Sequence, residues 1–301
     1  TGGLADVAGA LPLALGSLGV EIRSLLPLYP TVKRQLGQVR SIATLENLPG
    51  GKADLLAAHH AGLDLFLLDA PHLFAREGGP YTDAAGRDHA DNWLRFAAFS
   101  RAAAEIAAGA VAAFRPDIVH VHDWQAAMTL AYMRFGAGRH PPGVITIHNL
   151  AFQGQFGADV FPALQLPPHA YALDGVEYFG GVGYLKAGLQ AATAITTISP
   201  TYAQEIRTPE FGMGLEGLVN ARSAILHGIV NGIDIDTWNP STDRDLAGCF
   251  TGRGLAGRRP NRLNVERRFG LDADASTLFC VISRLTWQKG MDMLAGVLDD
   301  L

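Results

Sequence analysis

Short runs of leucine and β-branched residues recur along this chain, and each is followed by a longer stretch with helical spacing. This alternation restricts the fold more than any other feature. Residues 20–27 (VEIRSLLP), 63–71 (LDLFLLDAP), 117–123 (DIVHVHD) and 143–149 (GVITIHN) read as strands, and residues 194–200 and 224–234 continue the series. Runs that are apolar throughout suit strands covered on both faces, which is the habit of parallel sheets. The expectation is an α/β, doubly wound, Rossmann-like domain with its ligand beyond the carboxyl ends of the strands. The clearest helix spans residues 91–114, with Trp93, Phe96, Phe99 and Ile106 on one side. It should stop before Pro116, because a residue preceding proline avoids helical geometry.

The pattern changes near residue 236. A turn-rich DTWNPSTDRD and a glycine–arginine stretch precede a helix-like NVERRFGL, then STLFCVISRLT reads as a new buried strand with a helix starting beyond Lys289. We therefore expect a first domain at 1–235, a hinge at 236–275, and at 276–301 the start of a second Rossmann-like domain. One βα unit cannot form a sheet, so the chain is expected to be a piece of a longer protein. The net charge of −5 argues against a nucleic-acid partner. No apolar run reaches the length of a membrane span. The two cysteines, Cys249 and Cys280, are too few for a disulfide framework, so a reducing, cytoplasmic location is expected. Cys280 is expected to be buried in its apolar run.

Several strand ends carry polar groups. His120 and His122 share one face of a strand, with Asp123 and Trp124 at its end. The pair admits a metal site or a hydrogen-bonded structural role, while Asp123 reads as a site residue. His148 and Asn149 leave the next strand, Asn149 being equally suited to a turn cap. Gly2 and Gly3 let a ligand approach the backbone at a helix start, and Asp6 lies in that helix's first turn. Tyr81 sits in a polar loop and Asn231 follows the last strand. Arg284 and Lys289 place two cations beyond the new strand, where a diphosphate would be neutralised. Asp272 to Asp274 reads as a turn cap and Lys186 as a lysine snorkelling from an apolar helix.

Taken together, TGGLADVAGALP, DAPHLF, PDIVHVHDWQAA, TIHNLAFQG, GYLKAGLQAATAITTISPTYAQEI, GLEGL, GIVNGIDIDTWNP and SRLTWQKGMD occur in the order found in bacterial glycogen synthases and plant starch synthases. The chain resembles that family over nearly its whole length. The resemblance implies a GT-B-like fold of two Rossmann-like domains and glucosyl transfer, with retention, from ADP-glucose to the non-reducing end of an α-1,4-glucan. It places Asp123, His148, Arg284 and Lys289 at the reacting centre. Gly2, Gly3, Asp6, Tyr81, Trp124, Asn149 and Asn231 would line the substrate sites. It calls for no metal and no cofactor, ADP-glucose being a co-substrate, and it leaves a plastid location and the oligomeric state open. A lysine-bearing strand before Thr1, and an acidic residue and second glycine loop beyond Leu301, complete the family pattern, so the fragment alone is expected to be inactive. From the residues alone two other readings stand: a metal-dependent hydrolase using His120, His122 and Asp123, and a non-catalytic glucan-binding protein.

Overall fold

A computed structural model describes residues 3–138, 140–283, 285 and 289–298. The chain divides into two compact units, Thr1–Asn231 and Gly232–Leu301. The first contains α1 (Gly3–Gly16), β1 (Ser24–Pro27), α2 (Pro30–Gln35), β2 (Val39–Leu45), β3 (Ala53–His60), β4 (Leu63–Asp69), α3 (Pro71–Phe74) and α4 (Asn92–Ala107). These are followed by β5 (Val119–His122), α5 (Asp123–Phe135), β6 (Gly143–Ile147), β7 (Gln155–Phe156), β8 (Glu177–Tyr178), β9 (Gly181–Gly183) and α6 (Tyr184–Ala191). The unit ends with β10 (Ala194–Thr197), α7 (Pro200–Glu205), α8 (Glu216–Ala221) and β11 (Leu226–Gly228). The α/β, Rossmann-like class is as expected.

The strands form two four-stranded sheets. In one, β11, β10, β6 and β5 lie side by side and all pair in parallel. Val121, Ile145, Ile147 and Ile195 are buried in it, each side chain contributing about 1.5–3 kcal/mol of burial. Helices α5 and α6 pack beside it through Ala127, Met128, Leu185 and Leu189, in the largest core cluster. The other sheet is mixed: β1 runs parallel to β4, β3 pairs antiparallel with β4, and β2 pairs antiparallel with β3 at the edge. The sequence reading missed this hairpin because β3 alternates small alanines rather than bulky β-branched residues. It places Ala53 and Leu55 in the core and turns into β4 through Ala61 and Gly62, both at positive φ.

Helix α4 ends at Ala107, short of the expected residue 114. Gly109, at φ 105, forms a left-handed stop, with its N–H donating to Ile106 O and the Ala110 N–H to Glu105 O. This is a Schellman closure, and glycine supplies it before Pro116 acts.

The second unit holds α9 (Arg259–Phe269) and α10 (Met291–Val297), and no strand among its described residues. The strand expected across residues 276–285 is absent there: Phe279, Val281 and Ile282 are exposed. A strand needs a neighbour for its backbone groups, and the described residues of this unit provide none. Cys280 is accordingly an exposed free thiol rather than a buried one, as is Cys249. Among the described residues no helix is long and apolar enough to cross a membrane.

Candidate active site

The parallel register of β5 and β6 pairs His122 with Thr146, so the residues that follow, Asp123 and His148, leave the sheet near one another. Asp123 is the first residue of α5 and takes φ 53, a left-handed conformation that aspartate tolerates better than most residues. Its carboxylate is buried, and one oxygen accepts the His148 N–H at 2.7 Å. Burial pushes its pKa up to about 6, and hydrogen bonds from the His148 and Asn149 amides hold it from rising further. Asn149 Oδ1 accepts the Ala151 N–H at 3.0 Å, an Asx turn that gives this residue the capping role its type allows.

Three imidazoles stack behind this carboxylate, with ring centres 4.3 Å apart for His120 and His122 and 5.3 Å for His122 and His148. His120 Nε2 pairs with Thr146 Oγ1 at 2.6 Å, and Thr146 with Thr196 at 2.6 Å. His122 Nδ1 pairs with His148 Nε2 at 3.0 Å. Desolvation lowers all three pKa values, that of His122 to about 3, so the stack is uncharged at neutral pH. Among the described residues no three His, Cys, Asp or Glu side chains converge as metal ligands. His120 and His122 thus each take a hydrogen-bond partner outside the pair, Thr146 and His148. His148 Nδ1 is buried without a partner and retains one hydrogen bond to make.

Burial raises the pKa of the Tyr81 phenol, and the charge of Asp123 raises it further. The Tyr81 loop is pinned from below by Arg95, which is buried and donates to Leu73 O at 2.8 Å, Pro80 O at 3.0 Å and Asn92 Oδ1 at 2.6 Å. Asn92 in turn donates to Tyr81 O at 2.9 Å. Trp124 is only 9% exposed, edge-on to Phe96 at 4.9 Å, so its ring belongs mostly to the core under the site. Gly154, at φ 62, lies against that ring so closely that a Cβ would fall 2.4 Å from Cε3. The structure adds a residue the sequence reading passed over. Tyr202, two residues after Pro200 in SPTYA, accepts the Leu150 N–H at 3.1 Å and fixes the loop after His148. Its position just beyond a third parallel strand end was the available signal. Lys186 is buried and donates to Leu173 O and Gly175 O, an internal tether rather than a snorkelling surface lysine.

Asp6, Gly3 and Asn231 take no part in the hydrogen bonds described for this group. Asp6 is exposed on α1 and Gly3 has open space around it. Asn231 is exposed beyond β11. Lys289 is exposed in the second unit, just before α10. Gly2 and Arg284 lie outside the described residues.

A buried carboxylate and an uncharged imidazole with one unpaired ring nitrogen meet beyond parallel strand ends, where α/β domains bind their ligands. The sequence profile of the starch synthase catalytic domain matches residues 1–221, and the chain belongs to that family. It is 62% identical over 301 residues to the glycogen synthase of Mesorhizobium japonicum, covering 100% of this chain and 63% of that protein. It is 59% identical over 304 residues to that of Novosphingobium aromaticivorans, again covering 100% and 63%. The chain therefore spans 63% of the length of these relatives. Among solved structures it is similar to the catalytic domain of starch synthase IV from Arabidopsis thaliana bound to ADP and acarbose. The TM-score there is 0.83 at 29% identity, over 100% of this chain and 63% of that one.

Proposed function

We propose that this chain is the sugar-gripping part of a glycogen synthase, an enzyme that transfers glucose from ADP-glucose to the non-reducing end of an α-1,4-glucan with retention. The observation that carries the reading is the Asp123–His148 pairing, found in a chain 62% identical to a named glycogen synthase. The ADP and acarbose on the starch synthase IV structure support the ligand classes. In this reading residues 1–235 form the first domain, 236–275 the hinge and 276–301 the opening of a second. Both cysteines are free thiols, consistent with work in the cytoplasm.

The chemistry follows from the site. Asp123 is mostly ionised at neutral pH and has lone pairs beyond those used by the two backbone amides, so it accepts glucose hydroxyls. His148 borders the same sugar, and desolvation lowers its imidazole's pKa so that the ring is uncharged at neutral pH. As the glycosidic bond to diphosphate breaks, negative charge grows on the leaving group, and Lys289 and Arg284 neutralise it. Tyr81 and Asn149 border the sugar, Trp124 buttresses it from the core, and Gly2, Gly3, Asp6 and Asn231 contribute once the nucleotide is seated.

Lys289→Ala in the complete protein tests this. Turnover should fall by at least about a hundredfold, as when one stabilising donor is removed from a developing charge, with glucan affinity little changed. Equal losses in turnover and glucan affinity would remove Lys289 from the diphosphate.

A further inference from the structure

The backbone around His148 is held at two points. Asp123 Oδ1 accepts the His148 N–H at 2.7 Å, and Tyr202 Oη accepts the Leu150 N–H at 3.1 Å. Neither bond fixes the imidazole. The torsion that carries such a ring has two broad minima half a turn apart, and passing between them exchanges nitrogen for carbon on each side of the ring. A ring that has to meet a sugar through nitrogen therefore needs a partner that recognises one of the two orientations.

His122 supplies that partner. Its Nδ1 lies 3.0 Å from His148 Nε2, and among the described residues this is the only hydrogen bond either ring makes. The strand register brings the two together. β5 and β6 pair His122 with Thr146, and His148 follows Thr146 by two residues, on the same face and just past the strand end. His122 is itself backed by a fixed ring. His120 stacks on it at 4.3 Å and bonds Thr146 Oγ1 at 2.6 Å, and Thr146 bonds Thr196 Oγ1 at 2.6 Å, so the support reaches across β6 to β10. Packing alone does not ask for histidine at position 122. Val121 fills the opposite face, and an apolar ring would stack on His120 without burying polar atoms. Burial keeps the His122 imidazole uncharged, so it offers one donor and one acceptor, and Nδ1 is committed to His148.

We propose that His122 is a positioning residue for glucosyl transfer: its Nδ1 selects one of the two ring orientations of His148, so that the imidazole meets the sugar in a single, fixed presentation. This deepens the glycogen synthase reading and rests on it for the reaction.

The test uses the complete protein. His122→Phe keeps a ring against His120 and removes the bond, whereas His122→Asn keeps an amide where Nδ1 stood, able to donate or accept. Turnover with ADP-glucose and glycogen should fall about tenfold in His122→Phe, the worth of one neutral hydrogen bond, with KM for glycogen level. In His122→Asn it should return to within about threefold of the unaltered protein. In a His148→Ala background His122→Phe should cost nothing further, because the ring it orients is gone. A second tenfold loss there would overturn the proposal, as would unchanged turnover in the single variant. If His122→Phe does not fold, His122→Ala takes its place in the same cycle. The ring is also read without turnover. In protein labelled with 15N-histidine, the His148 nitrogen resonances, identified by their loss in His148→Ala, should shift in His122→Phe and move back in His122→Asn. Resonances unmoved in His122→Phe would overturn the pairing, whereas absent glucosyl transfer in the unaltered protein would count against the enzyme reading alone.

Discussion

Replacing Asp123 by asparagine should stabilise this protein at neutral pH while removing its activity. The side chain is buried and its pKa stands at about 6, against an ordinary 3.8, because desolvation outweighs the two backbone hydrogen bonds. A shift of about two units at 1.36 kcal/mol each amounts to about 3 kcal/mol. The sign follows from proton binding. Between pH 4 and 6 the native state holds the proton more tightly than the unfolded chain, so stability falls as pH rises through that window and stays reduced above it. Asparagine has no charge to desolvate, can still accept the His148 N–H, and tolerates the left-handed φ of 53. Urea denaturation of the two proteins from pH 4 to pH 8 gives the assay. The stability difference should be near zero at pH 4, grow in favour of Asp123→Asn up to about pH 6, and level off at about 1–3 kcal/mol. A difference of the opposite sign, or one independent of pH, would refute the assignment of the strain to a buried carboxylate. In the active protein, glucose transfer should fade as pH drops through about 6, where Asp123 gains its proton.

Gly154→Ala should destabilise by about 2–3 kcal/mol, since the new methyl meets the Trp124 ring and the backbone stands at φ 62; thermal melting reads it directly. Arg95→Leu should loosen the Tyr81 loop by leaving the Leu73 and Pro80 carbonyls unpaired, at about 1–3 kcal/mol each. Limited proteolysis should then cut within residues 76–90, and protection equal to the unaltered protein would count against the pinning role.

The parallel strands were legible because burial on both faces leaves an apolar run that no other element imitates at that length. Residues 143–149 and 194–200 correspond to β6 and β10 with only their ends trimmed. The β2–β3 hairpin was not legible, because β3 sets Ala53 and Ala57 on one face and Ala58 on the other without β-branched bulk. Of the site, Asp123 and His148 could be read from their place after strands. Arg95 could not, since it acts through the backbone of Leu73 and Pro80, distant in sequence, whereas Tyr202 carried only its place beyond β10 as a signal. The strand expected at residues 276–285 shows the reverse case. Its pattern is apolar enough, but a strand is a property of a sheet, and apolar residues without neighbours stay exposed.

Positive φ separates two kinds of strain in this chain. Ala61, Phe179 and Met213 each precede a glycine that is also at positive φ, so the turn itself accounts for the backbone there. Asp123 has no such glycine. It stands at the junction of β5 and the buried start of α5, whereas Gln165, which also lacks a following glycine, closes a short helix. A left-handed residue at this junction costs about 1–3 kcal/mol, and the buried charge adds about 3 kcal/mol more at neutral pH. Both penalties fall on one side chain, against a typical total stability of about 5–15 kcal/mol. Leucine or alanine at position 123 would lift the charge penalty without supplying an acceptor for the His148 N–H. A fold selected for stability alone would carry asparagine at this position. Greater stability in Asp123→Asn, read in the urea denaturation series, is the outcome that would show the aspartate to be held there at a cost.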